Sequence, residues 1–135
     1  MKRTPIIIIS ILVVGLVTMS FVSCDLAGAT IDARIDSLLY DINYDRNNAY
    51  LNFSSSDTSD YNAIKDGTKL LPLFPTNGIP YTRDTLNTSN PDAVTTTLDD
   101  TGIIWGPKSA SFMMIKEGFT WYIHEMSLDG SKIIQ

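Results

Sequence analysis

"SFMMIKEGFTWYIHEMSL", residues 111–128, decides the fold. The runs "SASFMMIK" (109–116) and "TWYIHEMSL" (120–128) carry a side-chain period of two, and "EGF" stands between them. That period marks strands with one face buried, and Gly118 supplies the positive φ that a tight hairpin turn demands. Upstream, "AVTTTL" (93–98) is β-branched and stops at "DDTG", and "IIW" (103–105) is a further short strand before "GPK" breaks the pattern. An antiparallel meander is predicted for the C-terminal half.

Ahead of the meander the period is helical. Ile31, Ile35, Leu38, Leu39 and Ile42 recur at helical spacing, Thr30 is placed to cap, and Asp32 lies near the positive end of the helix dipole. A helix is predicted over 31–44. The phase then changes, and Ala49, Tyr50 and Phe53 predict a second short helix over 46–53. "SSSDTSD" stops it, Ser59 is placed to cap a third in "DYNAIKDG", and Gly67 ends that one. Residues 72–91 hold four of the six prolines and read as irregular chain with one short strand near 81–85. Helices first and strands after describe an α+β domain, its N-terminal helices packed on a curved antiparallel sheet.

This layout is similar to the NTF2-like (cystatin-like) superfamily, the match being carried by Ser111 to Ile115, Gly118, Trp121 and Ile123. The resemblance implies a cone closed by the last two strands, and the apolar, aromatic and Met residues Leu39, Phe53, Phe112, Met114, Trp121 and Ile123 are the candidates to line a pocket. An ordinary filled core is the other reading of those residues, and of Met113 and Tyr122. A second small fold, two helices on three strands as in outer-membrane assembly lipoproteins, is the alternative layout. Resemblance to NTF2-like enzymes further implies a carboxylate base and a tyrosine in the cone, for which Asp36, Asp41, Tyr40, Tyr44 and Tyr50 are the available residues. It also implies that a dimer can form through the outer sheet face.

The N-terminus has its own reading. Lys2 and Arg3 precede an apolar stretch over 6–22, a positive region followed by a hydrophobic one, which is the form of a secretory signal. "FVSC" (21–24) then resembles the lipobox of bacterial lipoproteins: Val22 and Ser23 fit the small positions before the cut, and Phe21 departs from the usual leucine. The resemblance implies cleavage after Ser23 and fatty acylation of Cys24 with chains such as palmitate. A single acyl chain holds a membrane at only about 10⁴ M⁻¹, so two or three are needed for permanent attachment. The expected organisation is a signal peptide over 1–23, a short tether over 24–30 and one domain over 31–135. Asp25 leaves the destination leaflet open. The expected site is the cell envelope, on a bacterial membrane.

Charge and composition remove several function classes. Lys2 and Arg3 leave with the signal, so eight of ten basic side chains remain against fifteen acidic ones, a formal charge of −7. An acidic domain repels phosphate backbones, and nucleic acid is not an expected partner. Cys24 is the one cysteine, so with its sulfur acylated no thiol chemistry remains. His124 is the one histidine, and it adjoins Glu125 on a strand, where a regular pleat puts the two on opposite faces and out of reach. No metal site or cofactor is expected: Asp99 and Asp100 with Gly102 form a turn without calcium-loop spacing. The expected function is a lipid-anchored binding or interaction module without catalysis, recognising a small apolar ligand or an envelope protein. The alternative is an NTF2-like enzyme, of isomerase or hydrolase type, acting on a small hydrophobic substrate.

Overall fold

The computed structural model describes residues 26–76, 78–100 and 105–135. The signal, the lipobox and Cys24 lie outside the described residues, as do Gly102, Ile103 and Ile104. The chain begins with a 3₁₀ turn, Leu26–Gly28, and runs into α1, Ile31–Tyr44. A 3₁₀ helix, Arg46–Asn52, and a short α2, Tyr61–Lys65, follow. Then come the strands β1 Thr82–Arg83, β2 Val94–Asp99, β3 Lys108–Glu117, β4 Thr120–Leu128 and β5 Ser131–Ile134. They form one antiparallel sheet in the order β1-β2-β3-β4-β5. The domain is α+β, with its helices ahead of the sheet.

α1 starts where its cap requires. Thr30 is extended at φ −132° and its hydroxyl accepts the Ala33 N–H at 3.0 Å, satisfying one of the donors a helix start leaves open. The stripe Ile31, Ile35, Leu38, Leu39, Ile42 is buried against the sheet, each member 9 % exposed or less. Opposing it are inward residues of the meander: Val94 and Leu98 on β2, Ala110, Phe112 and Met114 on β3, Ile123 and Met126 on β4. Side-chain burial of this kind, at roughly 1.5–3 kcal/mol per large apolar residue, holds the helix where its intrinsic propensity would not.

β3 and β4 form the hairpin read from "EGF". Glu117 pairs with Thr120, leaving the two-residue loop Gly118–Phe119, with Gly118 at φ 64°. The pairing slips once: Met113 faces Glu125 but Met114 faces Ile123, so His124 is an extra residue on β4. This bulge moves the buried set from Ile123 to Met126, a step of three instead of two. It also corrects the expectation that His124 and Glu125 are out of reach, for His124 Nε2 lies 3.8 Å from Glu125 Oε1. The closer partner of Glu125 is Lys132 on β5, at 2.9 Å.

β5 was not expected from the sequence. It returns through Asp129 (φ 48°) and Gly130 (φ 81°), two successive positive-φ residues of the kind a two-residue hairpin turn uses. Beside it, β4 keeps an edge over its first half, and side chains and loops close that edge. Ser54 N–H donates to Ile123 O at 2.9 Å, Thr58 Oγ1 donates toward Ile123 O and His124 O, and Arg34 Nε donates to Trp121 O at 2.7 Å.

Three other expectations change. The segment expected as a helix over 46–53 is a 3₁₀ helix that ends at Asn52, and Phe53 leaves it, fully buried, to bridge Ile123 in parallel. Ser59 does not cap α2: its hydroxyl donates to Gln135 O at 2.8 Å, and Asp60 is the residue before the helix. Trp105 is in a turn and not a strand, its ring packed on Phe74 and Tyr81. The proline-rich stretch is ordered by Arg46, whose guanidinium donates to the carbonyls of Ile42, Leu71 and Phe74. Just before it Leu70 stands at φ 72°, ψ −65° with Leu71 N–H on Lys69 O, a strained γ-turn whose side chain is fully buried.

Candidate functional site

A polar line runs along α1 next to its apolar stripe. Arg34, Ser37 and Asp41 follow at intervals of three and four residues, which places them one above another on a 3.6-residue helix, and Asp45, the residue just past its end, continues the line. The Arg46–Asn52 turn faces this line with Asn48, Leu51 and Asn52, and the start of β4 faces it with Thr120 and Tyr122. Between them opens a cleft of about 340 Å³, whose upper rim is Ala27 and Gly28 of the N-terminal turn.

Arg34 is the centre of this cleft and is 7 % exposed. Its Nε donates to Trp121 O at 2.7 Å, its Nη1 donates to Asn52 Oδ1 at 3.0 Å, and its guanidinium carbon lies 4.7 Å from the Tyr122 ring centroid. A planar fork is needed to serve a backbone carbonyl, a carboxamide and an aromatic face at once, which is the geometry of arginine and not lysine. Asn52, 1 % exposed, passes the network on by donating to Asp41 Oδ2 at 2.8 Å and to Ala49 O at 3.1 Å. Asp45 Oδ2 in turn accepts from Asn48 at 2.8 Å.

Burial shifts both ions of this network in the direction that opposes charge. The Arg34 guanidinium is lowered by desolvation, against the support of Tyr122 and Asp41. The Asp41 carboxyl is raised by desolvation, partly countered by the Asn52 hydrogen bond, with Asp45 adding repulsion and Arg34 attraction. A carboxylate kept in a cleft at some cost to the fold is a feature of binding sites more than of cores.

Gly28 closes the rim by contact. A Cβ there would fall on Thr120 Cγ2 and within 2.5 Å of Arg34 Nη2, so any larger residue would have to displace one or both side chains. Through it the leading segment is seated on both α1 and β4.

The pocket residues expected from the sequence lie elsewhere. Leu39, Phe53, Phe112, Met114 and Ile123 are core residues, 0–6 % exposed, and Trp121 packs half-buried against them. The structure brings them together, with Met114 opposite Ile123 and Phe53 bridged to Ile123, but as packed interior. None of them lines the cleft at Arg34, nor the two smaller clefts of about 250 and 240 Å³ beside Pro75–Tyr81 and Leu70–Leu73. Of the acids and tyrosines considered, Asp41 reaches the cleft, Asp36 pairs with Arg83 at 2.6 Å, and Tyr40 and Tyr44 are exposed with their rings 5.2 Å apart. Tyr50 packs on Tyr61.

His124 stands apart from the cleft, its Nδ1 buried without a hydrogen bond. Asp100 is fully buried at the end of β2. Among the described residues no cluster of three or more His, Cys, Asp or Glu is arranged to hold a metal ion, and no helix is long and apolar enough to cross a membrane.

Arg34 and Asn52 were missed by sequence reasoning. The signal for Arg34 was present: it follows Ile31 by three residues and precedes Leu38 by four, a cation on the edge of an apolar stripe. No family model, curated protein or solved structure matches the chain.

Proposed function

We propose that the chain is a lipid-anchored module of the cell envelope, held through acylated Cys24, that binds a hydroxyl-rich small molecule of the saccharide type in the Arg34 cleft and performs no chemistry on it. One observation carries the reading: a buried guanidinium, fixed by Trp121 O, Asn52 and the Tyr122 ring and linked through Asn52 to the Asp41 carboxylate, lines an open cleft together with the Ser37 and Thr120 hydroxyls. Asp41, Asp45, Asn48, Ser37 and Thr120 offer donors and acceptors side by side, and Leu51, 48 % exposed, offers an apolar platform. A sugar ring presents the complementary pair of surfaces, hydroxyl edge and C–H face. The filled interior favours this cleft over an apolar guest inside the sheet.

An NTF2-like assignment of the domain is supported by the long first helix lying on a bulged antiparallel meander. In that reading the cone is closed by side chains, and recognition has moved to its mouth, beside the tether.

Calorimetric titration of the full lipidated protein in detergent with neutral oligosaccharides tests the ligand. Saturable binding that Asp41→Asn abolishes is expected. Binding of apolar ligands alone, or sugar binding indifferent to Asp41→Asn, would refute it. Cys24→Ser is expected to lose incorporated fatty acid and to leave the membrane fraction; equal incorporation by the variant would refute the anchor.

A further inference from the structure

We infer that the β3–β4 hairpin tip is a second membrane contact, with Phe119 inserted among the acyl chains of the bilayer that carries the anchor. Phe119 is 93 % exposed, the most exposed of the large apolar side chains on the described surface. It stands at the outer end of a two-residue loop, where nothing in the fold requires an aromatic ring. Its neighbours suit a lipid interface. Lys116 is exposed with its Nζ 5.5 Å from the Trp121 ring centroid, and the Glu117 carboxylate is turned back to accept from the hydroxyls of Ser54 and Ser56. An apolar ring at the tip, a cation and a tryptophan behind it, and the Glu117 carboxylate satisfied within the protein make the arrangement of an interfacial anchor.

Position supplies the second argument, and it rests on the lipid anchor proposed above. Gly28 is seated against Thr120, the residue after Phe119. From Cys24 to Gly28 is four residues, a reach of at most about 14 Å. A lipid on Cys24 therefore brings the bilayer to the end of the domain where Phe119 projects. The other end of β4, with Ser131 beyond it, lies about 30 Å away along the strand. Transfer of one phenyl ring into hydrocarbon is too weak to recruit a free acidic domain. Beside an anchor the contact is intramolecular, with an effective concentration near millimolar, and roughly a tenfold or greater preference for the inserted state suffices.

The test uses the full chain, matured in its own membranes and reconstituted in vesicles of phosphatidylethanolamine and phosphatidylglycerol. Phe119→Cys and, as the control, Ser131→Cys are labelled with a polarity-sensitive thiol dye; an acylated Cys24 takes no label. Expected are a blue-shifted emission at 119 and quenching by brominated lipid severalfold stronger than at 131. Equal quenching at the two positions, with the wild-type chain unlabelled, would overturn the hairpin contact and leave the anchor standing. Labelling of the wild-type chain would show a free Cys24 and overturn both.

Discussion

Arg34 shows what one buried cation does when its partners are spread over three elements. It closes an edge carbonyl of β4, holds Asn52 and shields the Tyr122 face. Arg34→Lys keeps the charge but cannot serve all three, and is expected to cost about 1–3 kcal/mol in urea denaturation. Asp41 works against the fold. Its carboxyl is raised, so its contribution favours the folded state below the unfolded carboxylate value of about 3.9 and is lost as the pH rises through the higher folded value. Asp41→Asn is therefore expected to be at least as stable as the wild type at neutral pH by thermal melting, while losing the ligand. A clear drop in melting temperature would show that Asp41 serves the structure instead.

At the scale of elements, β5 depends on one carboxylate. Asp60 Oδ2 accepts the Gln135 N–H at 2.9 Å, its other oxygen accepts from Lys69 at 2.7 Å, and its own N–H donates to Gln135 O. The Lys69 hydrogen bond, more than the one from Gln135, holds the Asp60 carboxyl below its usual range. The support is present above about pH 3.9 and is lost as the pH falls through the depressed folded value. Amide exchange in β5 is expected to quicken below that point in the wild type and to be fast throughout in Asp60→Ala; an unaltered acid dependence in the variant would count against the clamp. This clamp joins residues 75 positions apart, and no local pattern announces it. What is local was legible: the bounds of α1 from Thr30 and its stripe, and the β3–β4 hairpin from Gly118. β5 was missed although Asp129-Gly130 is a hairpin signal, because only four residues follow in the strand. The bulge was written in the shift of buried positions from odd to even at His124, but a break in alternation also reads as noise until pairing shows which residue is extra. The cleft was half legible, since the polar line on α1 is local and the groups it faces are not.

For the whole molecule, the decisive arrangement is the seat of the leading segment. Gly28→Ala is expected to lift Leu26–Gly28 from Thr120 and Arg34 at a cost of about 1–3 kcal/mol to that contact. Protease should then cut the segment faster while the core melts within a few degrees of the wild type. Unchanged cleavage would mean that Thr120 and Arg34 yield to the methyl group. The same seat has a consequence for orientation. A free leash lets a tethered domain turn in every direction, whereas a lipid on Cys24, as proposed above, would pull on a segment already seated at Gly28. Leu26–Gly28 would then act as a bracket instead of a swivel. On a bilayer every copy would then hold its cleft at one height and one bearing above the lipid, so that a population of them presents a level field of identically aimed sites.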